Sequence, residues 1–197
     1  MRSTTDFSVA IATQQKMRRA VRALTEEIYG NLRSTPDGLV AVTATKGTSD
    51  STGDIQPRDS DTYYTYHTHP SATYREKQLA VGWPSVQDVE MVVHMLGRRP
   101  PEQILHVLFA VEGMYFMYFP EEFHDKALQL YHSLAGCTEF PCCEASPSNH
   151  DGITAEFCQV FDRDTHRDGN TTLEQYLSDA ISHETVRIEF ARWDPRA

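Results

Sequence analysis

Two histidines one residue apart, His67 and His69, followed at once by Pro70, are the residues in this sequence best suited to chemistry. On a β-strand, residues i and i+2 point to the same face. A strand through residues 63–69 would therefore project both imidazoles side by side, with Tyr63 and Thr65 before them, and turn Thr68 away. Further on, Pro84-Ser85-x-x-Asp88 opens an apolar-periodic run, and a helix beginning at Ser85 would present Asp88 from its first turn. Two imidazoles and one carboxylate make a three-ligand zinc site with a fourth position open to water, which is the catalytic pattern rather than the closed structural one.

Each part also has a plainer reading. Ser85-x-x-Asp88 is close to a helix capping box, with Asp in place of the usual Glu or Gln. A His-x-His pair alone is common as a satisfied surface pair. A third element shifts the balance. Glu27-Ile-Tyr-Gly30-Asn-Leu32 lies upstream, at the end of an amphipathic pattern. The adjacent acids Glu26 and Glu27 could equally be a solvated helix end, although a negative pair there is slightly unfavourable against the helix dipole.

In order, Glu27-x-x-Gly30, His67-Thr68-His69-Pro70 and Ser85-x-x-Asp88 resemble the JAMM (MPN+, JAB) metalloprotease family, whose pattern is a glutamate, an H-[ST]-H-P strand and an S-x-x-D helix start. The resemblance covers roughly the first two-thirds of the chain. It departs from the family in one interval: residues 70–87, between His69 and Asp88, form a longer stretch than usual. The excess reads as an insertion over residues 71–83, expected to arch beside the metal as a lid or substrate-contacting rim with Tyr74 and Trp83 as its apolar contacts.

The resemblance implies an α/β fold: a JAMM/MPN-like mixed, curved β-sheet flanked by helices, with a C-terminal helical extension. It implies zinc held by His67, His69 and Asp88, which lowers the pKa of its bound water from 15.7 to about 7. Glu27 would be the general base, preferred over Glu26 because only Glu27 has glycine three residues on. Ser85 would donate to the developing oxyanion. The expected activity is hydrolysis of a peptide or isopeptide bond, removing ubiquitin or a ubiquitin-like protein, with further protein complex partners. The alternative is a non-catalytic MPN scaffold subunit of a larger assembly. A zinc hydrolase of another kind is a third reading, against which the upstream Glu-x-x-Gly argues.

The elements that must position these residues follow from periodicity. Phe7, Val9 and Ile11 alternate as a half-buried strand, and Met17, Ala20, Val21 and Leu24 fall at helical spacing. A strand from Ile28 turns at Pro36-Asp37-Gly38 into another over residues 39–45. Residues 46–61 are polar and read as a connection. Val86, Val89, Val93 and Leu96 form one helical stripe, ended by Gly97, Pro100 and Pro101. Residues 104–110 and 114–119 are apolar nearly throughout, joined at Glu112-Gly113, as two central strands joined in a hairpin would be. Residues 121–135 read as a helix with Phe123, Ala127, Leu130 and Leu134 inward.

At 197 residues, 40% hydrophobic and 23% charged, the chain can fill one sizeable core. The expected division is a JAMM/MPN-like domain over residues 1–136 and an extension over 137–197 packed on it. A formal charge of −10 argues against a nucleic-acid surface and offers no basic patch for anionic lipid. No membrane partner is expected either, since no apolar run approaches a membrane helix. With no secretory signal after Arg2, the expected location is cytoplasmic and the expected state of Cys137, Cys142, Cys143 and Cys158 is reduced. A second zinc using Cys142 or Cys143 with His132 or His150 is a weaker reading, because the spacing matches no standard pattern. Asp164-x-His166-x-Asp168-Gly169-x5-Gln175 echoes an EF-hand loop but lacks its bidentate Glu, so a decayed acidic loop before a helix at residues 172–181 is preferred to a calcium site.

Overall fold

A computed structural model describes residues 7–23, 25–47, 63–77, 81–136, 143, 152–161 and 171–197. The chain is mixed α/β, with a curled mixed sheet and flanking helices. It divides into two compact units, one of Met1–Trp83, Leu105–Phe116 and Glu189–Ala197, the other of Pro84–Ile104 and Met117–Ile188.

The first unit carries the sheet. Helix α1 (Ile11–Ala23) buries Met17 and Val21. Strand β1 (Ile28–Thr35) turns back into β2 (Gly38–Ala41) as an antiparallel hairpin, with Thr35 opposite Gly38. The short β3 (Thr45–Lys46) also pairs with β1. Strand β4 (Tyr63–Thr68) lies antiparallel to β1, with Tyr29 opposite His67, Gly30 opposite Tyr66 and Asn31 opposite Thr65. After it comes the short helix α2 (Ser71–Lys77). Strands β5 (Ile104–Phe109), β6 (Gly113–Tyr118) and β7 (Arg187–Arg192) complete the order β2-β1-β4-β5-β6-β7. Every residue of β5 and β6 is buried, as their unbroken apolar runs predict.

Gly30 is explained by close packing. A Cβ there would sit 2.2 Å from the Thr43 carbonyl oxygen, which also accepts from the Tyr66 hydroxyl at 2.7 Å. The Thr43 hydroxyl in turn accepts from the Asn31 amide. The glycine of the Glu27-x-x-Gly30 pattern thus lets the chain between β2 and β3 close over β1.

In the second unit, helix α3 (Val86–His94) packs against α4 (His124–Leu134) and α5 (Gly152–Phe161), and α5 packs against α6 (Leu173–Ser182). Val89, Val92, Val93, Leu130, Leu134, Phe157, Phe161 and Ala180 are buried. The stripe read from Val86, Val89, Val93 and Leu96 is therefore the buried one.

Two expectations need correction. Residues 7–11 form no strand: Val9 makes a single parallel bridge to Leu39, and the helix has begun by Ile11. The Gln14 amide donates to the Val9 carbonyl at 2.8 Å, tying the helix back over the segment that alternation alone would have extended. The C-terminal part is not wholly helical either, since it ends in β7. A short signal was present: Arg187-Ile188-Glu189-Phe190 alternates charged with apolar residues. Phe190 packs on Tyr115 with ring centroids 5.0 Å apart, and Trp193 stacks on Phe109 at 6.0 Å. Among the described residues, no helix is long and apolar enough to cross a membrane.

Candidate metal centre

His67 lies near the end of β4 and His69 just beyond it, so the pleat brings their rings to one face with centroids 4.9 Å apart. Their Nε2 atoms lie 3.1 Å from each other. The His69 ring is oriented by the Gly82 carbonyl, 3.1 Å from its Nδ1. A carbonyl oxygen only accepts, so neutral His69 carries its proton on Nδ1 and turns the Nε2 lone pair toward His67.

His67, 1% exposed, has its Nδ1 2.6 Å from His106 Nε2, and His106 Nδ1 lies 2.7 Å from the Thr65 hydroxyl oxygen. This chain has two consistent settings. With protons on the His106 side, His67 Nε2 bears a hydrogen that donates to His69. With His67 donating to His106, and His106 to Thr65, both Nε2 lone pairs face one point. The second setting is the one a cation requires. Ligands about 2.0–2.1 Å from a tetrahedral ion stand roughly 3.3 Å apart, close to the Nε2–Nε2 separation here. In that second setting the two imidazoles suit a metal ion in donor type and spacing.

Glu27 directly precedes β1, four residues beyond the end of α1. Its side chain is buried, with Oε1 4.0 Å from His69 Nε2. The peptide unit that follows it is tethered at both its polar atoms, for Gly47 donates to the Glu27 carbonyl and Ile28 donates to the Thr68 hydroxyl. Thr68, expected to face away from the imidazoles, anchors this connection. Glu26 points elsewhere and pairs with Lys46 at 3.1 Å on the exposed surface.

Ser85 caps α3, and Ser85-x-x-Asp88 forms the capping box. The Asp88 amide donates to the Ser85 hydroxyl oxygen at 3.3 Å, while the Ser85 amide and hydroxyl donate to Asp88 Oδ2 at 2.6 and 2.7 Å. Tyr176 of α6 is fully buried, and its hydroxyl donates to the Pro84 carbonyl at 2.8 Å. Burial, and then the charge of Asp88, hold that phenol well above its ordinary range. Tyr176 is a contribution of the last third of the chain that the sequence reading missed. Its position in α6 carries no motif.

Among the described residues, one group of three or more potential ligands could hold a metal ion, namely His67, His69 and Asp88, with ligand atoms within 4.8 Å of one another. The reading of a second zinc site loses Cys143. Cys143 and Cys158 are joined in a disulfide, with Cα atoms 5.3 Å apart, so the expectation of reduced thiols is overturned for these two. Sequence spacing cannot report such proximity. The bond also removes Cys143 from a second zinc site. Cys137, Cys142 and His150 lie outside the described residues, as does the acidic loop through residue 170. Gln175, its last position, spends its amide on Asp179 within α6.

Within the insertion, one side chain is fastened to the sheet. Tyr74 of α2 is not a free rim residue: its hydroxyl donates to Glu112 Oε2 at 3.1 Å and accepts from the Val111 amide. Burial, and next the charge of Glu112, push this phenol far above its usual range. No family model, curated protein or solved structure matches this chain.

Proposed function

We propose that this chain is a zinc-dependent metalloprotease of the JAMM type, hydrolysing a peptide or isopeptide bond. One observation carries the reading: two imidazole Nε2 atoms converge at 3.1 Å with the buried Glu27 carboxylate 4.0 Å from one of them, and Asp88 belongs to the same candidate ligand group. His67, His69 and Asp88 would hold the ion. Zinc, when bound, supplies Lewis acidity and a water acidified to a pKa near 7.

The chain's own residues do the rest. Glu27, shielded from solvent, accepts a proton from the attacking water and returns it to the leaving amine. Its burial keeps competing water from the proton transfer. Ser85 donates to the oxyanion, which requires its hydroxyl to turn from Asp88 Oδ2. The substrate class, ubiquitin or a ubiquitin-like conjugate, rests on the resemblance of the motifs alone. A cytoplasmic setting belongs to the same reading, and the Cys143–Cys158 disulfide weighs against it because disulfides persist in oxidising compartments. Trapping the thiols in intact cells decides that point.

The test is metal analysis of the purified chain, followed by a cleavage assay on a panel of ubiquitin-like conjugates. About one zinc per chain and cleavage abolished by Glu27→Gln support an enzyme. Zinc without cleavage of any conjugate, and partner binding indifferent to Glu27→Gln, would replace it with the scaffold.

A further inference from the structure

We infer that Glu112, on the turn between β5 and β6, is a positioning residue for His69, acting through the Gly82 carbonyl. The inference rests on the reading of His69 as a metal ligand, and its test separates the two. Glu112 gathers three hydrogen bonds. Its Oε1 accepts from the Gly82 amide at 2.8 Å and the Tyr115 hydroxyl at 2.6 Å, and its Oε2 accepts from the Tyr74 hydroxyl at 3.1 Å. The donors come from the insertion and from β6, so one carboxylate fastens the returning end of the insertion to the sheet.

The turn itself is rigidly held. Ala110 donates to the Gly113 carbonyl, Val111 donates to the Tyr74 hydroxyl, and the Trp193 indole donates to the Val111 carbonyl at 3.0 Å. A glycine at position 82 would ordinarily leave its two peptide units free to rotate. Here the Tyr74 hydroxyl occupies the space a side chain would take, 1.6 Å from where a Cβ would sit. With its amide on Glu112 and its open face filled by Tyr74, Gly82 has one orientation for its carbonyl. That carbonyl accepts from His69 Nδ1 at 3.1 Å.

The consequence is chemical. A neutral imidazole held by an acceptor at Nδ1 must offer its lone pair at Nε2, the atom facing His67. Without that acceptor, His69 can take the other tautomer, put a hydrogen where a ligand atom is needed, and rotate. The insertion is on this account part of the framework of the site, and Glu112 is its fastening.

The experiment is nitrogen-15 NMR of the histidine rings in the metal-free full chain, at a pH above the imidazole range, paired with zinc titration against a competing chelator. Wild type should show His69 protonated at Nδ1. Glu112→Ala should average or reverse that signature and weaken zinc binding by about 10- to 100-fold. Glu112→Gln should rescue most of it, because its amide oxygen still accepts from Gly82 and Tyr115. Tyr74→Phe, which removes the hydroxyl against Gly82 and its bond to Glu112 but keeps the ring, should give an intermediate change and guards against a Glu112→Ala chain that fails to fold. An unchanged His69 signature in both Glu112→Ala and Tyr74→Phe overturns the inference, as does an Nε2-protonated His69 in wild type. A wild-type chain that takes up no zinc removes the metal reading, while the His69 tautomer in the variants still decides the role of Glu112.

Discussion

The imidazole pair on β4 and the carboxylate at the head of α3 are held in opposite ways. Asp88 is fixed by Ser85, three residues away, through a closed exchange of amide, hydroxyl and carboxylate bonds. His67 takes its orientation from His106, 39 residues away, and His69 from Gly82, 13 residues away. The cap forms wherever a helix starts at Ser85. The imidazole geometry exists only when β5 lies beside β4 and residue 82 has been brought back to the sheet. A ligand of the first kind resists distant substitution, and ligands of the second kind are exposed to it.

The largest effect should come from the ligands themselves. His67→Ala, His69→Ala or Asp88→Ala should each take metal content from about one zinc per chain to almost none, read by elemental analysis after dialysis. Cys158→Ser should leave it unchanged. Metal lost with the cysteine and kept without the histidines would end any comparison of how the ligands are held.

Next in size is Glu27→Gln, which should lower turnover by about 10²- to 10⁴-fold with zinc retained. Glu26→Gln, on the exposed Lys46 pair, should be nearly silent. Zinc lost together with turnover in Glu27→Gln would make Glu27 a ligand rather than a base.

The comparison is sharpened by removing a support from each side. His106→Leu fills a similar buried volume but takes away the partner of His67 Nδ1. Zinc affinity should fall by about 10- to 100-fold in a chelator competition. Ser85→Ala removes the cap and should cost about 1 kcal/mol of stability in urea unfolding, with a smaller change in zinc affinity than His106→Leu produces. The reverse ranking would mean that the local motif, and not the sheet, limits metal binding.

Legibility followed the same line. His67, His69 and Asp88 could be singled out because their spacing within a strand and at a helix start encodes which way they face, whereas Glu27 and Ser85 were marked by the resemblance of their motifs. The structure groups the two histidines with Asp88 and buries Glu27 beside His69. Strands β5 and β6 were equally readable from their apolar runs. Strand β7 carries a period-two pattern only over its first four residues, too short a signal to set against a helical extension. His106 gave no signal. It sits in an apolar stretch where a buried polar residue has no motif until its partners are known.

What the sequence determined alone, then, was the set of groups able to do chemistry and the short-range geometry that presents them, because helix and strand periods act over a few residues. Tertiary structure decided the rest. It chose the tautomer of His69 by bringing the Gly82 carbonyl to its Nδ1, and it gave His67 a partner in His106. It bound Tyr74 and Gly82 to Glu112, and it joined Cys143 to Cys158. Each of these depends on a hydrogen bond or covalent contact between residues far apart in the chain. Their meeting is fixed by the packing of the sheet and the helices, and no local pattern records it.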